Sequence, residues 1–165
     1  MGGAAIPEAA VAGAAGAAAT YLRMTDASDP VLMRAGGTAL ALAEAFCGQL
    51  LVARACEDSV ATTPGWQRLA AVPVRQIEAA NGLAVDIDAG GIGWVRVTEP
   101  GAASVRYVAG LAVEWAALPE PLAQGVVLLT LHLFEHRAGG AAPPAAVAAL
   151  WRPYRRMRLQ AEVRA

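Results

Sequence analysis

The sequence feature that most constrains the fold is an apolar run over residues 126–134, interrupted by Thr130 and His132. Leu118-Pro119-Glu120-Pro121 precedes this run, and prolines next to an acidic residue are typical of a helix start. A helix through the run is apolar on nearly every side, and such a helix is stable only when other elements cover it. We therefore expect a buried central helix that ends at Arg137.

Helix start signals predict three further helices. They begin at Pro7-Glu8, at Asp29-Pro30 and at Pro143-Pro144, because proline fits the first helical turn and the Asp29 carboxylate can accept the first free N–H groups. They end, in order, at Leu22, Gly48 and Pro153. Gly13 and Gly16 weaken the first helix but would let another backbone approach closely, and Gly36-Gly37 is the weak point of the second.

Between residues 50 and 110 the apolar period changes from helical to about two, which is typical of strands. Asn81-Gly82 is the strongest hairpin signal, since both residues accept the positive φ of a tight turn. A second hairpin is expected around Ala89-Gly90-Gly91. Pro73 lies in the expected strand 72–78, and it either places that strand at a sheet edge or marks the start of the strand. The expected strands are residues 50–57, 72–78, 83–88, 92–98 and 103–109.

The predicted fold class is therefore α+β, a bundle of about four helices with a small antiparallel β-meander inserted between the second and third. A chain of 165 residues is one domain's worth of protein. We expect a single domain over residues 1–165. Its parts are N-terminal helices (1–48), an antiparallel β region (50–110), C-terminal helices (119–151) and a basic tail (152–165).

Composition indicates a folded chain with protein partners. Apolar residues make up 56% and charged residues 16%, which excludes a disordered chain and indicates that partners cover part of the surface. Cys47 and Cys56 cannot form a disulfide framework and fit no zinc spacing, so we expect two small core residues in a reduced compartment. The N-terminal Ala/Gly run carries Glu8 and no preceding basic residue, which argues against export, and no apolar run is long enough for a membrane span.

Charge is divided unevenly along the chain. Residues 1–151 hold 8 Arg and 13 acidic residues, whereas residues 152–165 hold 5 Arg and only Glu162. A domain that coats nucleic acid normally has a basic face along much of its length, because its affinity comes from neutralising many phosphates. The body of this chain is acidic, so it does not have the composition of such a domain.

Catalytic and metal-binding motifs are weak. His132 and His136 share one helix face, as two zinc ligands would, but Leu133 occupies the position where a metalloprotease has its glutamate. A metal-dependent hydrolase remains an alternative, against a packed His132 and a His136 near the helix end. Asp86 and Asp88 lie before Gly90-Gly91 without the remaining residues of a calcium loop, and we expect them to face solvent. The sequence predicts no cofactor and no enzyme activity.

The stretch 151–159 alternates arginines with aromatic and apolar residues, Trp151-Arg152-Pro153-Tyr154-Arg155-Arg156-Met157-Arg158-Leu159. Three interpretations are open. Arginines on phosphates with aromatics stacked on bases would give a small nucleic-acid-binding accessory protein. The same residue types favour a protein anchor, and a solvated helix end is the third reading. We favour the anchor because the body offers no basic surface.

Several segments carry a family resemblance. They are Tyr21-Leu22-Arg23-Met24, Cys47-Gly48-Gln49-Leu50-Leu51, the strand Val105-Arg106-Tyr107-Val108-Ala109-Gly110, the helix end Glu135-His136-Arg137 and the close Leu150-Trp151-Arg152-Pro153-Tyr154-Arg155. In this order they resemble the tailed-phage head–tail connector, or adaptor, family. The Ala- and Arg-rich sequence is most similar to the adaptors of gene transfer agents.

The resemblance implies a structural protein without catalysis or cofactor. Copies would form a homo-oligomeric ring, dodecameric in the family, between the portal protein and a stopper or tail-side neck protein of a phage-like particle assembled in the bacterial cytoplasm. DNA would pass through its channel without sequence-specific binding, and no membrane is involved. The implied portal interface is Arg152, Tyr154, Arg155, Arg156, Met157, Arg158 and Leu159. The hairpin implied to face neighbouring subunits or the stopper carries Asp86, Asp88, Ile92 and Trp94.

Overall fold

The computed structural model describes residues 4–63, 65–78, 81–99, 101, 104–136 and 141–156. Within these residues the α-helices are α1 Glu8–Leu22, α2 Pro30–Cys47, α3 Glu120–Glu135 and α4 Ala145–Trp151. Two 3₁₀ helices cover Trp115–Ala117 and Arg152–Tyr154. The strands are β1 Arg54–Ser59, β2 Gln67–Arg68, β3 Val74–Ile77, β4 Leu83–Ile87, β5 Gly93–Val97 and β6 Ser104–Ala109. The α+β class and the four helices are confirmed.

The helix boundaries follow the predicted signals. The Asp29 carboxylate accepts hydrogen bonds from the N–H groups of Val31 at 2.8 Å and Leu32 at 3.0 Å. Gly48 ends α2 with a φ of 66°, a conformation that glycine adopts without steric cost. The predicted end of α3 at Arg137 lies outside the described residues.

The central position of α3 is confirmed. Leu122 and Val126 are fully buried, and the helix packs against α1, α2 and α4. Thr130 is also buried, and its hydroxyl donates to the Val126 carbonyl at 2.8 Å, which satisfies a polar group inside the bundle. In the part of the chain that is described, no helix has the length and apolar character needed to cross a membrane.

Glycines in α1 and α2 act differently from one another. A Cβ at Gly36 would lie 3.4 Å from the Ala15 nitrogen, so this glycine lets α1 and α2 approach closely without breaking α2. At Gly13 a Cβ would lie 2.6 Å from Cγ of Trp115, so a side chain fills the space instead of the expected backbone. Gly16 has no atom within 4 Å of that position, and the expectation of a close approach there is wrong.

The β region forms two sheets rather than one meander. One has the strand order β1-β6-β3 and the other β2-β5-β4, and all named pairs are antiparallel. The predicted hairpin of β4 and β5 is confirmed. The prediction of a hairpin around Asn81-Gly82 is wrong, because β3 pairs with β6 and β4 pairs with β5. Gly82 has the expected positive φ of 81°, but the turn connects two sheets.

The strand boundaries also shift. The chain from Leu50 to Ala53 bonds to the segment after β6, with the N–H of Leu111 donating to the Leu50 carbonyl at 3.0 Å, and β1 starts only at Arg54. Pro73 precedes β3, an edge strand, as predicted. The two-residue strand β2 was not predicted, since two residues are too few to show a period.

A second apolar core lies within the β region. Tyr107, Val105 and Val95 are each 1% exposed. The Tyr107 hydroxyl donates to Asp58 at 2.9 Å, and burial raises the pKa of that hydroxyl. Cys47 is buried as predicted and Cys56 is half-buried, and both are free thiols.

An ion pair joins the helices to the β region. The Arg54 guanidinium donates from Nη1 and Nη2 to the two Glu44 carboxylate oxygens, each at 2.7 Å. The Arg54 Nε–H donates to the Ala4 carbonyl at 2.9 Å, and Glu44 also accepts the Leu51 N–H at 2.9 Å. The side chains of Arg54 and Glu44 are only 9% and 11% exposed. This pair fixes the start of β1 against the end of α2.

Candidate protein-contact surfaces

The C-terminal segment, residues 152–156, begins where α4 is fixed in the core. Trp151 is 3% exposed, and its indole Nε1–H donates to the Leu122 carbonyl of α3 at 3.2 Å. The Phe46 ring lies 5.9 Å from the Trp151 ring, tilted by 54°. Trp151 is therefore a core residue, and the exposed part of the C-terminal segment begins after it.

One side-chain and one backbone hydrogen bond hold the C-terminal segment against the end of α2. The side-chain amide of Gln49 donates from Nε2 to the Tyr154 carbonyl at 2.8 Å. The Arg156 N–H donates to the Cys47 carbonyl, also at 2.8 Å. The Cys47 carbonyl is at the C-terminal end of α2, where carbonyls lack helical partners.

The described members of the predicted portal interface divide into two groups. Arg152 and Arg155 are exposed, and the Arg155 guanidinium lies 5.7 Å from the centre of the Phe46 ring. Tyr154 and Arg156 are half-buried against the body. Met157, Arg158 and Leu159 lie outside the described residues. Among the described members, Arg152 and Arg155 present the most accessible charge.

The hairpin of β4 and β5 is organised by Asp88. Its Oδ1 accepts the N–H groups of Gly90 at 2.8 Å and Ile92 at 2.9 Å, and its Oδ2 accepts the indole N–H of Trp94 at 3.2 Å. The hydrogen bond from Ile92, followed by that from Trp94, holds the pKa of Asp88 below its ordinary value. Asp86 is exposed as expected, whereas Asp88 is half-buried and its carboxylate is used within the turn. The expectation that both face solvent is confirmed for Asp86 and holds only in part for Asp88.

The side chains of His132 and His136 contact each other and backbone carbonyls near the C-terminal end of α3. The His132 and His136 rings stack with their centres 4.5 Å apart. Nε2 of His132 lies 3.1 Å from the Ala141 carbonyl, and Nδ1 of His136 lies 3.0 Å from the His132 carbonyl. A carbonyl accepts, so these nitrogens carry protons. Within the described ranges, no three His, Cys, Asp or Glu residues cluster as metal ligands would.

No protein-family model and no curated protein matches this chain. Solved structures do. A chain in the neck of an empty gene transfer agent (GTA) particle, computed with C6 symmetry, aligns with a TM-score of 0.74 and 23% identity over 96% of both chains. A chain in the neck of a native GTA particle, computed with C12 symmetry, gives 0.70 and 23% over 96% of both. A chain of the native GTA virion gives 0.68 and 25% over 96% of this chain and 95% of that one.

The chain has the fold of a GTA neck protein. The resemblance recognised in the sequence motifs is confirmed at this level, and the match extends from the N-terminal helices to the C-terminal segment. Within this neck fold the two predicted contact regions are neighbours, because the Arg156 guanidinium donates from Nη1 to the Gly90 carbonyl in the β4–β5 turn at 2.7 Å. The C-terminal segment and the hairpin thus form one continuous surface.

Two further surface features of this GTA neck fold were not predicted by any sequence motif. Trp66 is 47% exposed, and the Arg96 guanidinium carbon lies 5.1 Å from the centre of its ring. A cavity of about 250 Å³ lies between α1 and the first 3₁₀ helix, and Glu114 is among the residues that line it. A tryptophan in a polar turn was the only available signal for the first feature. The cavity is lined by residues from distant parts of the chain, so no local sequence pattern indicates it.

Proposed function

We propose that this protein is a head–tail adaptor in the neck of a gene transfer agent, a structural and non-catalytic role. Its copies form a ring between the portal protein and the stopper or tail-side neck protein. The observation that carries the proposal is the fold shared over 96% of the chain with proteins of GTA necks. The C6 and C12 symmetries of those necks support a ring of copies, for which we propose twelve.

The C-terminal segment and the residues after it form the portal contact in this proposal. Exposed Arg152 and Arg155 supply guanidinium groups, which make bidentate hydrogen bonds to carboxylates on a partner. Tyr154 and Arg156 hold the segment in place through the bonds to Gln49 and Gly90. The contact continues through Met157, Arg158 and Leu159.

The β4–β5 hairpin faces a neighbouring copy or the stopper. Asp88 fixes the turn, so that Ile92 and Trp94 keep one arrangement when a partner arrives. Asp86 and Trp94 are opposite each other in the strand register and share one face of the sheet. A preformed surface of this kind loses little conformational entropy on binding.

The acidic body suits a channel through which DNA moves. Residues 1–151 carry five more acidic residues than arginines, 13 against 8. A surface with few arginines neutralises few phosphates and therefore binds DNA weakly at physiological salt. We place DNA in the channel of the ring as a passing molecule without sequence-specific contacts.

The test is an affinity pull-down from a lysate of particle-producing cells with an N-terminally tagged bait. The full chain is compared with a variant that ends after Arg156, because an earlier end would remove the bonds from Gln49 and to Cys47 and Gly90. We expect the full chain to recover the portal protein and the shortened chain to lose it. Equal thermal unfolding of the two baits is the control for an intact fold.

The other outcomes are equally clear. Recovery of the portal by both baits would place the contact before residue 157 or elsewhere on the surface. Recovery of nucleic acid without particle proteins would show that the protein is a nucleic-acid-binding accessory protein. Absence of the protein from purified particles, measured by mass spectrometry, would overturn the adaptor role.

A further inference from the structure

The exposed face of the sheet β2-β5-β4 carries two arginines and, opposite Trp94, the carboxylate of Asp86. We name the two arginines and the neighbouring Trp66 the Trp66 surface, defined as Trp66, Arg68 and Arg96. Arg68 is opposite Trp94 in the strand register, and Arg96 lies two residues further along β5, so both arginines point to the same side. Both are exposed, and Arg96 lies over the Trp66 ring. Tryptophan and arginine are the residue types that contribute most to protein interfaces.

A concave feature of opposite character lies on other elements. The Glu114 pocket is formed by Pro7 and Ala10 of the α1 start, Val52, and the Val113-Glu114-Trp115 segment. Its volume of about 250 Å³ is below the range of about 300–1,000 Å³ that is typical of small-molecule sites. It therefore suits one large side chain better than a ligand.

The residues that line the Glu114 pocket include apolar side chains and one carboxylate. Trp115 is held against α1 by the space above Gly13, which gives the pocket a fixed wall. Val113 is 60% exposed, so a partner seated on the pocket would remove apolar surface from water. Glu114 is exposed, and it takes no part in the ion pairs found among the described residues.

We propose that the Trp66 surface of one copy binds the Glu114 pocket of the next copy. Trp66 fills the apolar pocket, Val113 is covered, and Arg96 pairs with Glu114. A head-to-tail ring needs two different and complementary surfaces on each subunit. An exposed tryptophan beside two arginines and a pocket lined by apolar residues and Glu114 meet that need in residue chemistry and in charge. This inference rests on the ring proposed above and names the residues of its subunit contact.

The absence of lysine from the sequence allows a sharp test by zero-length cross-linking. A carbodiimide joins a primary amine to a carboxylate only when the two are in direct contact, and the wild-type chain, which has only its α-amino group, gives the baseline. The R96K variant is treated as purified protein at high concentration and within isolated particles, and covalent multimers are resolved by denaturing electrophoresis. We expect a ladder of multimers with R96K that the wild-type chain does not give.

Two variants control the cross-link. R96K/E114Q removes the expected carboxylate and loses the ladder, while R23K places a single lysine on an exposed position at the end of α1 and gives none. A ladder that survives E114Q, or no ladder in either sample, would overturn the contact. Portal recovery without a ladder contradicts this inference alone, whereas a ladder in protein that is absent from particles contradicts the adaptor role alone.

Charge exchange gives an independent readout. R96E and E114R each place like charges at every contact, so each variant alone loses ring assembly, as measured by negative-stain microscopy of isolated necks. An equal mixture of the two restores it, because in an alternating ring of even number every contact again pairs opposite charges. Failure of the mixture, with thermal unfolding of both variants unchanged, would overturn the proposed pairing.

Discussion

The indole ring of Trp151 occupies the space beside Gly125 where a Cβ would otherwise lie. A Cβ built at Gly125 would be 2.8 Å from the indole Cδ1 of Trp151, which is closer than real Cβ contacts. The same indole donates its N–H to the Leu122 carbonyl, one turn earlier in α3. α4 and α3 thus pack at a separation that only glycine at this position permits.

Substitution of this glycine tests the packing. G125A forces the Trp151 ring away from α3, and overpacking of this kind lowers the free energy of unfolding by about 1–3 kcal/mol. The matched control is G16A in α1, where nothing lies within 4 Å of the new Cβ. There the gain in helix propensity raises the free energy of unfolding by about 0.5–1 kcal/mol. Urea denaturation measures both, and equal effects would contradict the packing argument.

The two ion pairs of the described residues predict very different mutational costs. E44A leaves the Arg54 guanidinium buried without its carboxylate, and the loss of one partner of a buried pair costs about 3–5 kcal/mol of unfolding free energy. R106A breaks a pair at 3.9 Å whose side chains are 69% and 54% exposed, and such a pair contributes about 0–1 kcal/mol. Chemical denaturation of both variants checks the difference, and a cost for E44A no larger than that for R106A would be the contrary result.

Asp88 predicts a low-pH transition in the hairpin. Hydrogen bonds to its charged form lower its pKa below the ordinary 3.8, so the carboxylate stabilises the turn above that value and the contribution disappears as the pH falls through the lowered pKa. The indole N–H resonance of Trp94 should therefore shift with a midpoint below 3.8. D88N removes the transition and D86N keeps it. A midpoint at or above the ordinary value would contradict the assignment.

Cys47 predicts low thiol reactivity. Burial, with the nearby Glu44 carboxylate as the smaller cause, raises its pKa from 9.0 to about 11. Only the thiolate reacts with alkylating agents. At pH 8 iodoacetamide should modify half-buried Cys56 before Cys47, and in urea both should react alike, as followed by peptide mass spectrometry. Faster modification of Cys47 in the folded protein would show that its environment is not the one described.

The same raised pKa predicts a loss of stability in alkali. Between pH 9 and about 11 the unfolded thiol ionises while the folded one stays protonated, so the free energy of unfolding falls as the pH rises. Tyr107 extends this fall to higher pH, since burial raises its pKa as well. Burial also raises the pKa of Cys56. Thermal unfolding of C47A measured against pH should therefore have a smaller slope above pH 9 than the wild-type chain, and C47A/C56A a smaller one still. An unchanged slope would assign it to other groups.

Local signals predicted the helices well and the strand pairing only in part. Asp29, Gly48 and the prolines act within one helical turn, so their effect is visible in the sequence, and all the predicted helices are present. Asn81-Gly82 has the chemistry of a tight turn and makes one. It does not pair its flanking strands, because β3 finds its partner β6 about thirty residues away and that choice depends on packing rather than on the turn.

The contact surfaces were predictable in composition and not in geometry. The alternation of arginines and aromatics after Trp151 indicated an anchor, but nothing local shows that Arg156 bonds to a carbonyl in a turn 66 residues earlier. The Glu114 pocket joins α1, the approach to β1 and the first 3₁₀ helix, so its residues share no spacing.

The bonds around Glu44 have a mechanical consequence for a protein under load. Both carboxylate oxygens hold the Arg54 guanidinium in one plane, one of them also holds the Leu51 N–H, and the third nitrogen of the guanidinium holds the Ala4 carbonyl. A rotation of β1 relative to α2 would break these bonds together rather than one after another. The junction is therefore rigid, and torque applied to the helices is transmitted directly to β1.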